Sequence, residues 1–456
     1  MAQRTWCGSA RLASAAGIII LAAGSWTVID SQSTDEARRQ RFTAVGTLDR
    51  EAPLQTGTPT LSAALAPSEA ATGFDNRTNG YLRQGAPYDT FNEDNVVPDR
   101  SFNDNRFIFE EVESIADGLG PTYNAQSCAE CHQNVVTGGA SQIAEHRTGR
   151  LDASGGFFES LGGSLIHSRA TNAAIVERVA FEDDVRTFRI STNTLGNGFV
   201  ECVASESLLA IRDAQPADIR GTAVMVPVFE GGNAMRVGRF GWKNQHGSLE
   251  SFSADAYLNE MGITSPLFPD ENTSGGRNVG FGTGFDPVQD PEDQGEDVKA
   301  FANFMRSTKA PSRGRITQNV QQGEALFNQV GCNGCHVQTL RTARPGTVIN
   351  GGTFRIPFAL GNKIIHPYSD YLSHDIGTGD GIPITPAPEF AVTRNLMRTA
   401  PLWALRTRNR LMHDGLSFTK QEAIQRHANQ GAGARDRYNA LTDAQRNLVL
   451  TFLDSL

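Results

Sequence analysis

Two five-residue stretches constrain this 456-residue chain more than anything else in it. Cys128-Ala129-Glu130-Cys131-His132 and Cys332-Asn333-Gly334-Cys335-His336 both read C-x-x-C-H, and they start about 200 residues apart. That spacing suits haem attachment. Two sulfurs clip the vinyl-derived carbons of one porphyrin edge, and the adjoining imidazole falls under the ring, where it binds iron. A thioredoxin-like redox pair needs a strand before it and a long helix after it, and neither copy has that context. A four-cysteine zinc site needs its pairs within roughly 20 residues of each other. Two copies therefore predict two covalently bound c-type haems. Cys128, Cys131, Cys332 and Cys335 are the attachment points, and His132 and His336 the proximal iron ligands.

Covalent attachment suits an exported protein, and the N-terminus reads that way. Arg4 and Arg11 precede an uncharged, largely apolar run from Leu12 to Ile29, with the small residues Ala22-Ala23-Gly24 inside it. Residues 1–29 are either a cleaved signal peptide or an N-terminal anchor, since the run reaches the lower limit of about 17–25 residues for a membrane span. Both readings put the body of the chain in the periplasm, free or anchored to the inner membrane. The net charge of −9 disfavours nucleic acid and anionic membrane surfaces. The partners expected are a small-molecule redox substrate and a redox partner protein, with membrane contact only through an uncleaved N-terminus. Cys202, beside Phe199, Val200 and Val203, reads as a buried small hydrophobe rather than a reactive thiol.

The expected fold class is mainly α: two cytochrome c-like haem domains, the N-terminal one enlarged by a β-containing insertion. Residues 30–75, rich in Ser, Thr, Ala, Gln and Pro, read as a flexible linker. The N-terminal haem domain spans 76–310 and the C-terminal one 311–456. Residues 86–105, crowded with Asp, Asn and Pro, read as loop. Val185 to Ser191 alternates as a strand does. Ala223–Phe229 and Met235–Phe240, around Gly231-Gly232-Asn233, make a hairpin. Helices are predicted at Ser205–Ala214, Glu296–Met305 and Val320–Val330. A last one is opened by the capping box Thr442-Asp443-Ala444-Gln445.

What fills each iron's sixth position decides its role. The other histidines are His146, His167, His246, His366, His374, His413 and His427, and the thioether candidates in the second half are Met397 and Met412. Here the sequence resembles a known family. Gly118 to Cys128, Gly238-Arg239-Phe240-Gly241-Trp242-Lys243, Met261 to Phe268 and Pro367 to Gly377 look like motifs of the di-haem oxidoreductase family. That family is also labelled thiol oxidoreductase and is similar to bacterial di-haem cytochrome c peroxidases. The likeness covers roughly residues 75 to 456.

The resemblance implies a catalytic N-terminal haem fed with electrons by the C-terminal one. It implies His427 as distal ligand of the second haem, in a position where peroxidases carry methionine. It gives His374 and His413 hydrogen-bonding roles near the haem edge. Glu201 and His246 are candidates for acid–base work on bound peroxide, and Trp242 for an electron relay. A calcium ion is a further expectation, on Asn92-Glu93-Asp94-Asn95 with Asn103 and Asp104. The function implied is an exported oxidoreductase acting on a small substrate such as peroxide. The alternatives are a non-enzymatic electron-transfer cytochrome and an accessory redox protein of iron uptake.

Overall fold

The computed structural model describes residues 66–73, 102–384 and 392–456. Residues 1–29, most of the linker and Asn92–Asn95 lie outside the described residues. The described end of the linker is β1 (Ser68–Glu69), which runs parallel to Lys363 and Ile364. Among the described residues no helix is long and apolar enough to cross a membrane.

Among the described residues helix and strand are mixed, at 31% and 18%, which corrects the mainly helical expectation. The difference comes from the connections. A chain with 46 glycines and 20 prolines breaks often, and two-residue ladders tie its loops together.

In the first half, α1 (Phe102–Glu110) starts inside the stretch read as loop. Its Asp and Asn residues occupy the opening turn, and packing decides the rest. Phe102 and Phe109 lie 5.6 and 4.6 Å from the ring of Phe304, and such tertiary contact outweighs weak local propensity. The first haem motif forms α2 (Cys128–Cys131), capped by Ser127, whose Oγ accepts from Ala129 N at 3.2 Å. Next comes an antiparallel sheet of β2 (Ala144–Leu151), β3 (Phe157–Glu159), β4 (Leu165–Ile166) and β5 (Val185–Ile190), every strand of which pairs with β2. Helices α3 (Asn197–Glu201) and α4 (Ser205–Ala214) precede the predicted hairpin. It forms as β6 (Met225–Val228) and β7 (Ala234–Val237), with Asn233 at φ 65° in the turn.

Helix α5 (Leu249–Ala256) continues into a π-helical turn, Tyr257–Met261, that stops at Gly262. Gly262 has φ +71°, and a Cβ there would sit 2.7 Å from the Gly120 carbonyl oxygen, so the residue must be glycine. Residues 263–295 hold only turns and isolated bridges before α6 (Glu296–Ser307).

In the second half, α7 (Gln318–Gln329) leads into a single 3₁₀ turn, Cys332–Gly334. Short strands β8 (Leu340–Arg341) and β9 (Lys363–Ile365) pair antiparallel. The chain ends with α8 (Lys420–Gln425), α9 (Ala432–Asn439) and α10 (Asp443–Leu453), and the capping box of Thr442 and Gln445 forms as predicted. A Cβ on Gly323 of α7 would lie 2.0 Å from the Leu448 carbonyl oxygen of α10, so only glycine permits that helix crossing.

Among the described residues two large buried clusters result, besides a small third one of Ile190, Trp242 and Met397. The larger gathers Phe109, Phe199, Phe301 and Phe304 together with Leu340, Ile349, Leu360 and Trp403, residues from both sides of position 310. The smaller, around Phe327, Tyr368, Val449 and Phe452, lies wholly within 320–456.

Candidate haem sites

Each C-x-x-C-H motif opens onto a large cavity. The first, about 470 Å³, is lined by Cys128, Cys131 and His132, and the second, about 560 Å³, by Cys332, Cys335 and His336. Both volumes fall in the roughly 300–1,000 Å³ range of cofactor pockets.

The proximal sides are built alike. His132 Nδ1–H donates to the Gly139 carbonyl at 3.2 Å, and His336 Nδ1–H donates to the Tyr368 carbonyl at 2.9 Å. Fixing the proton on Nδ1 leaves Nε2 as the unprotonated nitrogen, as a metal-binding imidazole requires. Burial lowers the pKa of both imidazoles, His336 to about 4, so both are neutral. The ring of Phe109 in α1 tilts 55° against His132 at 6.3 Å, and that of Phe327 in α7 tilts 54° against His336 at 6.1 Å. Burial pushes all four motif thiols up, Cys131 and Cys332 to about 12. None is the stabilised thiolate of a redox pair, whereas thioether formation needs no ionised resting state.

The remaining walls differ. The first cavity is faced by Glu145, Arg147 and Arg189 from the β2–β5 sheet, and by Glu260 and Met261 from the π-helical turn. Burial raises the pKa of Glu260 well above the usual carboxyl range, and the neighbouring Glu145 charge adds to that. Burial acts on Glu145 too, but Arg147, whose Nε donates to its Oε1 at 2.6 Å, holds its pKa low. The two neighbouring carboxyls are thus pushed in opposite directions, Glu260 toward its protonated form and Glu145 toward its ionised one. Asn124, four residues before the first haem cysteine, fixes Glu260. Its Nδ2 donates to Glu260 Oε2 at 3.0 Å, and its backbone N–H donates to the Glu260 carbonyl at 2.7 Å.

The second cavity is lined by His427, His374, His413, Met397, Met412, Arg398 and Arg408. His427, just beyond α8, donates Nδ1–H to the Ala423 carbonyl at 2.7 Å, which turns Nε2 into an acceptor as in the two motif histidines. Burial lowers its pKa, which favours the neutral form here as in the motif histidines. Met397 Sδ lies 3.8 Å from Lys243 Nζ. His374 donates Nε2–H to Asp370 at 2.9 Å, and His413 bonds the Thr378 and Phe188 carbonyls. Burial lowers Arg398 and Arg408 to about 10, which leaves both cationic at neutral pH, and neither makes an ion pair among the described residues. Two such guanidiniums suit an anionic cofactor edge.

Trp242 stands between the cavities and, among the described residues, is the only one lining both. Its Nε1–H donates to the Ile190 carbonyl at 2.8 Å, and its ring meets that of His413 edge-on at 6.2 Å. Next to it, Lys243 and Arg189 grip the fully buried Asp380 at 3.0 and 2.7 Å. Burial opposes ionisation there, but the two cations hold the Asp380 carboxyl well below its ordinary value.

Three sequence-based candidates lie elsewhere. Glu201 is fully buried in a bidentate pair with Arg306, at 2.7 and 3.0 Å, and does not line either haem cavity. His246 lines a smaller neighbouring cavity and pairs with Asp255 at 3.0 Å. Asp104 is exposed on α1, while the rest of the calcium loop, Asn92–Asn95, is outside the described residues. Cys202 is buried in the main core. Glu145 and Glu260 went unseen because their pairing depends on a contact across 115 residues, for which the sequence carries no local signal.

No curated protein matches this chain. Among solved structures, it is similar to a hydrazine synthase of Kuenenia stuttgartiensis pressurised with xenon, at 14% identity and TM-score 0.37, covering 89% of this chain and 100% of that one. It is similar also to a MauG-like protein associated with microbial copper homeostasis, at 13% identity and TM-score 0.38, covering 88% and 95%. Residues 158–456 match the family described as "Di-haem oxidoreductase, putative peroxidase", a span that takes in Trp242, Glu260, the second haem motif and His427 but begins after the first motif. With two cavities that fit the cofactor and most of its length matched, the chain belongs to the di-haem oxidoreductase family, whose cofactor is haem.

Proposed function

We propose that this chain is an exported c-type di-haem oxidoreductase whose second haem carries electrons and whose first meets a small substrate, peroxide being the best match. In this reading Cys128, Cys131, Cys332 and Cys335 attach the haems, His132 and His336 are proximal ligands, and His427 is the distal ligand of the second. Residues 1–29 serve export or anchoring, 30–75 tether, and the haems ride on units 76–310 and 311–456. A periplasmic redox protein supplies the electrons.

Bound haem supplies one-electron chemistry at an iron position open to a ligand. The chain supplies the protons. Glu260 holds one beside an ionised Glu145, so the pair can give a proton to one substrate oxygen and take one from the other. Arg147 and Arg189 keep that wall polar. Trp242 lines both cavities and offers a protein route for an electron between them. One observation carries the reading: the buried carboxyl–carboxylate pair on the first cavity, against a second cavity whose only acidic lining residue, among the described residues, is Asp218.

The test has three parts on the purified native protein. Intact mass should exceed the chain by two porphyrins. Ferric spectra should show one high-spin haem perturbed by cyanide and one low-spin haem that is not. Peroxide should then oxidise a reduced donor catalytically. Two low-spin, ligand-inert haems would overturn the enzyme in favour of an electron carrier.

A further inference from the structure

Away from both haem cavities, the irregular stretch 263–295 gathers four carboxylates. Glu271, Asp286, Asp290 and Glu292 each offer one ligand oxygen, and these four atoms lie within 4.8 Å of one another. The cluster has two further properties. First, every member has one carboxylate oxygen that is buried and without a hydrogen-bond partner: Glu271 Oε2, Asp286 Oδ2, Asp290 Oδ1 and Glu292 Oε1. Asp286 is only 6% exposed, so its orphaned oxygen is shut away from water as well as from protein donors. Second, three of the four are oriented through their other oxygen. Glu271 Oε1 accepts from Asn272 N at 2.6 Å, Asp286 Oδ1 from Val288 N at 3.0 Å, and Glu292 Oε2 from Thr264 N at 2.8 Å and Thr264 Oγ1 at 2.5 Å. One oxygen held by the chain and the other turned inward is how ligating carboxylates are set by their surroundings.

No cation among the described residues offsets the charge. None of the four makes an ion pair among the described residues; Asp290 and Glu292 are near enough to interact with each other, and the charges bearing on the cluster are those of acids. Buried, unpaired polar atoms are rare in folded proteins and call for an explanation. Four together, all of one sign, point to a missing positive charge. We infer that Glu271, Asp286, Asp290 and Glu292 form a binding site for a hard divalent cation, calcium, separate from both haems. All-oxygen, carboxylate-rich donors select hard cations, and Ca²⁺ accepts six to eight such oxygens in flexible geometry, whereas Mg²⁺ demands a strict octahedron and keeps its water. This is not the Asn92–Asn95 loop to which the sequence pointed.

The site braces a segment that has little else to hold it. Residues 263–295 connect the turn carrying Glu260 to α6, whose Phe301 and Met305 line the first haem cavity. An irregular connection of that length is unusual in a compact domain unless something organises it. Glu292 packs against Gly118, where a Cβ would approach to 2.6 Å, and Asp293 caps α6 by accepting from Glu296 N at 3.0 Å. A cation there ties the loop to both walls.

The experiment uses the full, haem-loaded chain, stripped with EGTA, desalted and titrated with CaCl₂ or MgCl₂, with bound metal counted by mass spectrometry and unfolding followed by calorimetry. The native chain should bind one more equivalent of Ca²⁺ than the Asp286→Asn/Asp290→Asn variant, and Ca²⁺ should raise its Tm. The variant should keep its Soret band and lose the calcium-dependent rise. Should that variant fold poorly, the half-buried Glu271→Gln reads the same two quantities. Equal calcium counts and equal Tm shifts in native and variant chains would overturn the site. Binding of Mg²⁺ in preference to Ca²⁺ would overturn the calcium assignment.

Discussion

Around His132 and around His336 the chain repeats one local design. A phenylalanine from the preceding helix tilts against the imidazole at about 6 Å, and a backbone carbonyl takes the Nδ1 proton. A second helix then closes over that phenylalanine: α6 through Phe304 in the first site, α10 through Phe452 in the second. The walls opposite diverge. The first carries the carboxyls of Glu145 and Glu260, while the second carries the imidazole of His427 and the guanidiniums of Arg398 and Arg408. Holding a haem is thus the shared task, and what happens at the iron is set by residues far from either motif.

The sharpest way to break this contrast is to remove His427. If its imidazole closes the second iron, His427→Ala should turn that haem from low-spin to high-spin completely and let it bind cyanide, leaving the first haem's spectrum unchanged. A variant whose two haem signals both match the native protein's would return Met397 or Met412 as the ligand. The next largest effect falls on the other cavity. Glu260→Gln removes the acidic proton but keeps the shape and the Asn124 contact. Peroxide turnover should fall about 10²–10⁴-fold, the usual share of a general acid–base group, with the spectrum of the second haem unaltered. Unchanged turnover would strip the carboxyl pair of its role.

Between the cavities, Asp380 joins β5 and Lys243 to the C-terminal half. Asp380→Asn would leave Arg189 and Lys243 buried beside a neutral amide, and breaking such a pair costs about 3–5 kcal/mol. Denaturant unfolding would read it. The exposed Lys420–Asp454 pair at 2.5 Å is the control, where Asp454→Asn should cost less than about 1 kcal/mol. Similar losses in both would mean the buried network does not fasten the halves.

Much of this was legible beforehand, and what was not has a common cause. The hairpin at Gly231-Gly232-Asn233 and the Thr442 capping box are local patterns, and each formed at its expected place. Helix α1 was missed because Asn103, Asp104 and Asn105 look like loop until Phe102 and Phe109 find Phe304, some 200 residues on. Glu201 looked free in the sequence, but Arg306 lies across the core from it. Glu145 and Glu260 are unremarkable letters until the fold brings them together. Polar chemistry made by long-range contact is what a single sequence hides.

The smallest effect expected of a buried group concerns stability near the first motif. Glu113 is buried near Cys128, and the Tyr257 hydroxyl donates to it at 3.0 Å. Burial raises its pKa to about 7, although the Tyr257 hydrogen bond pulls the other way. A carboxyl whose folded value lies above its unfolded one favours the fold while protonated. Its contribution is full below about pH 4.5 and is lost as the pH rises through 7. Glu113→Gln fixes the neutral form and can still accept from Tyr257. Relative to the native chain it should gain on the order of 2 kcal/mol between pH 4.5 and pH 8, measured as the difference in unfolding free energy at the two values. Parallel pH profiles for the two proteins would mean that Glu113 ionises freely in the fold. The acidity of the first site would then lie with the carboxyls that line its cavity, Glu145 and Glu260 among them.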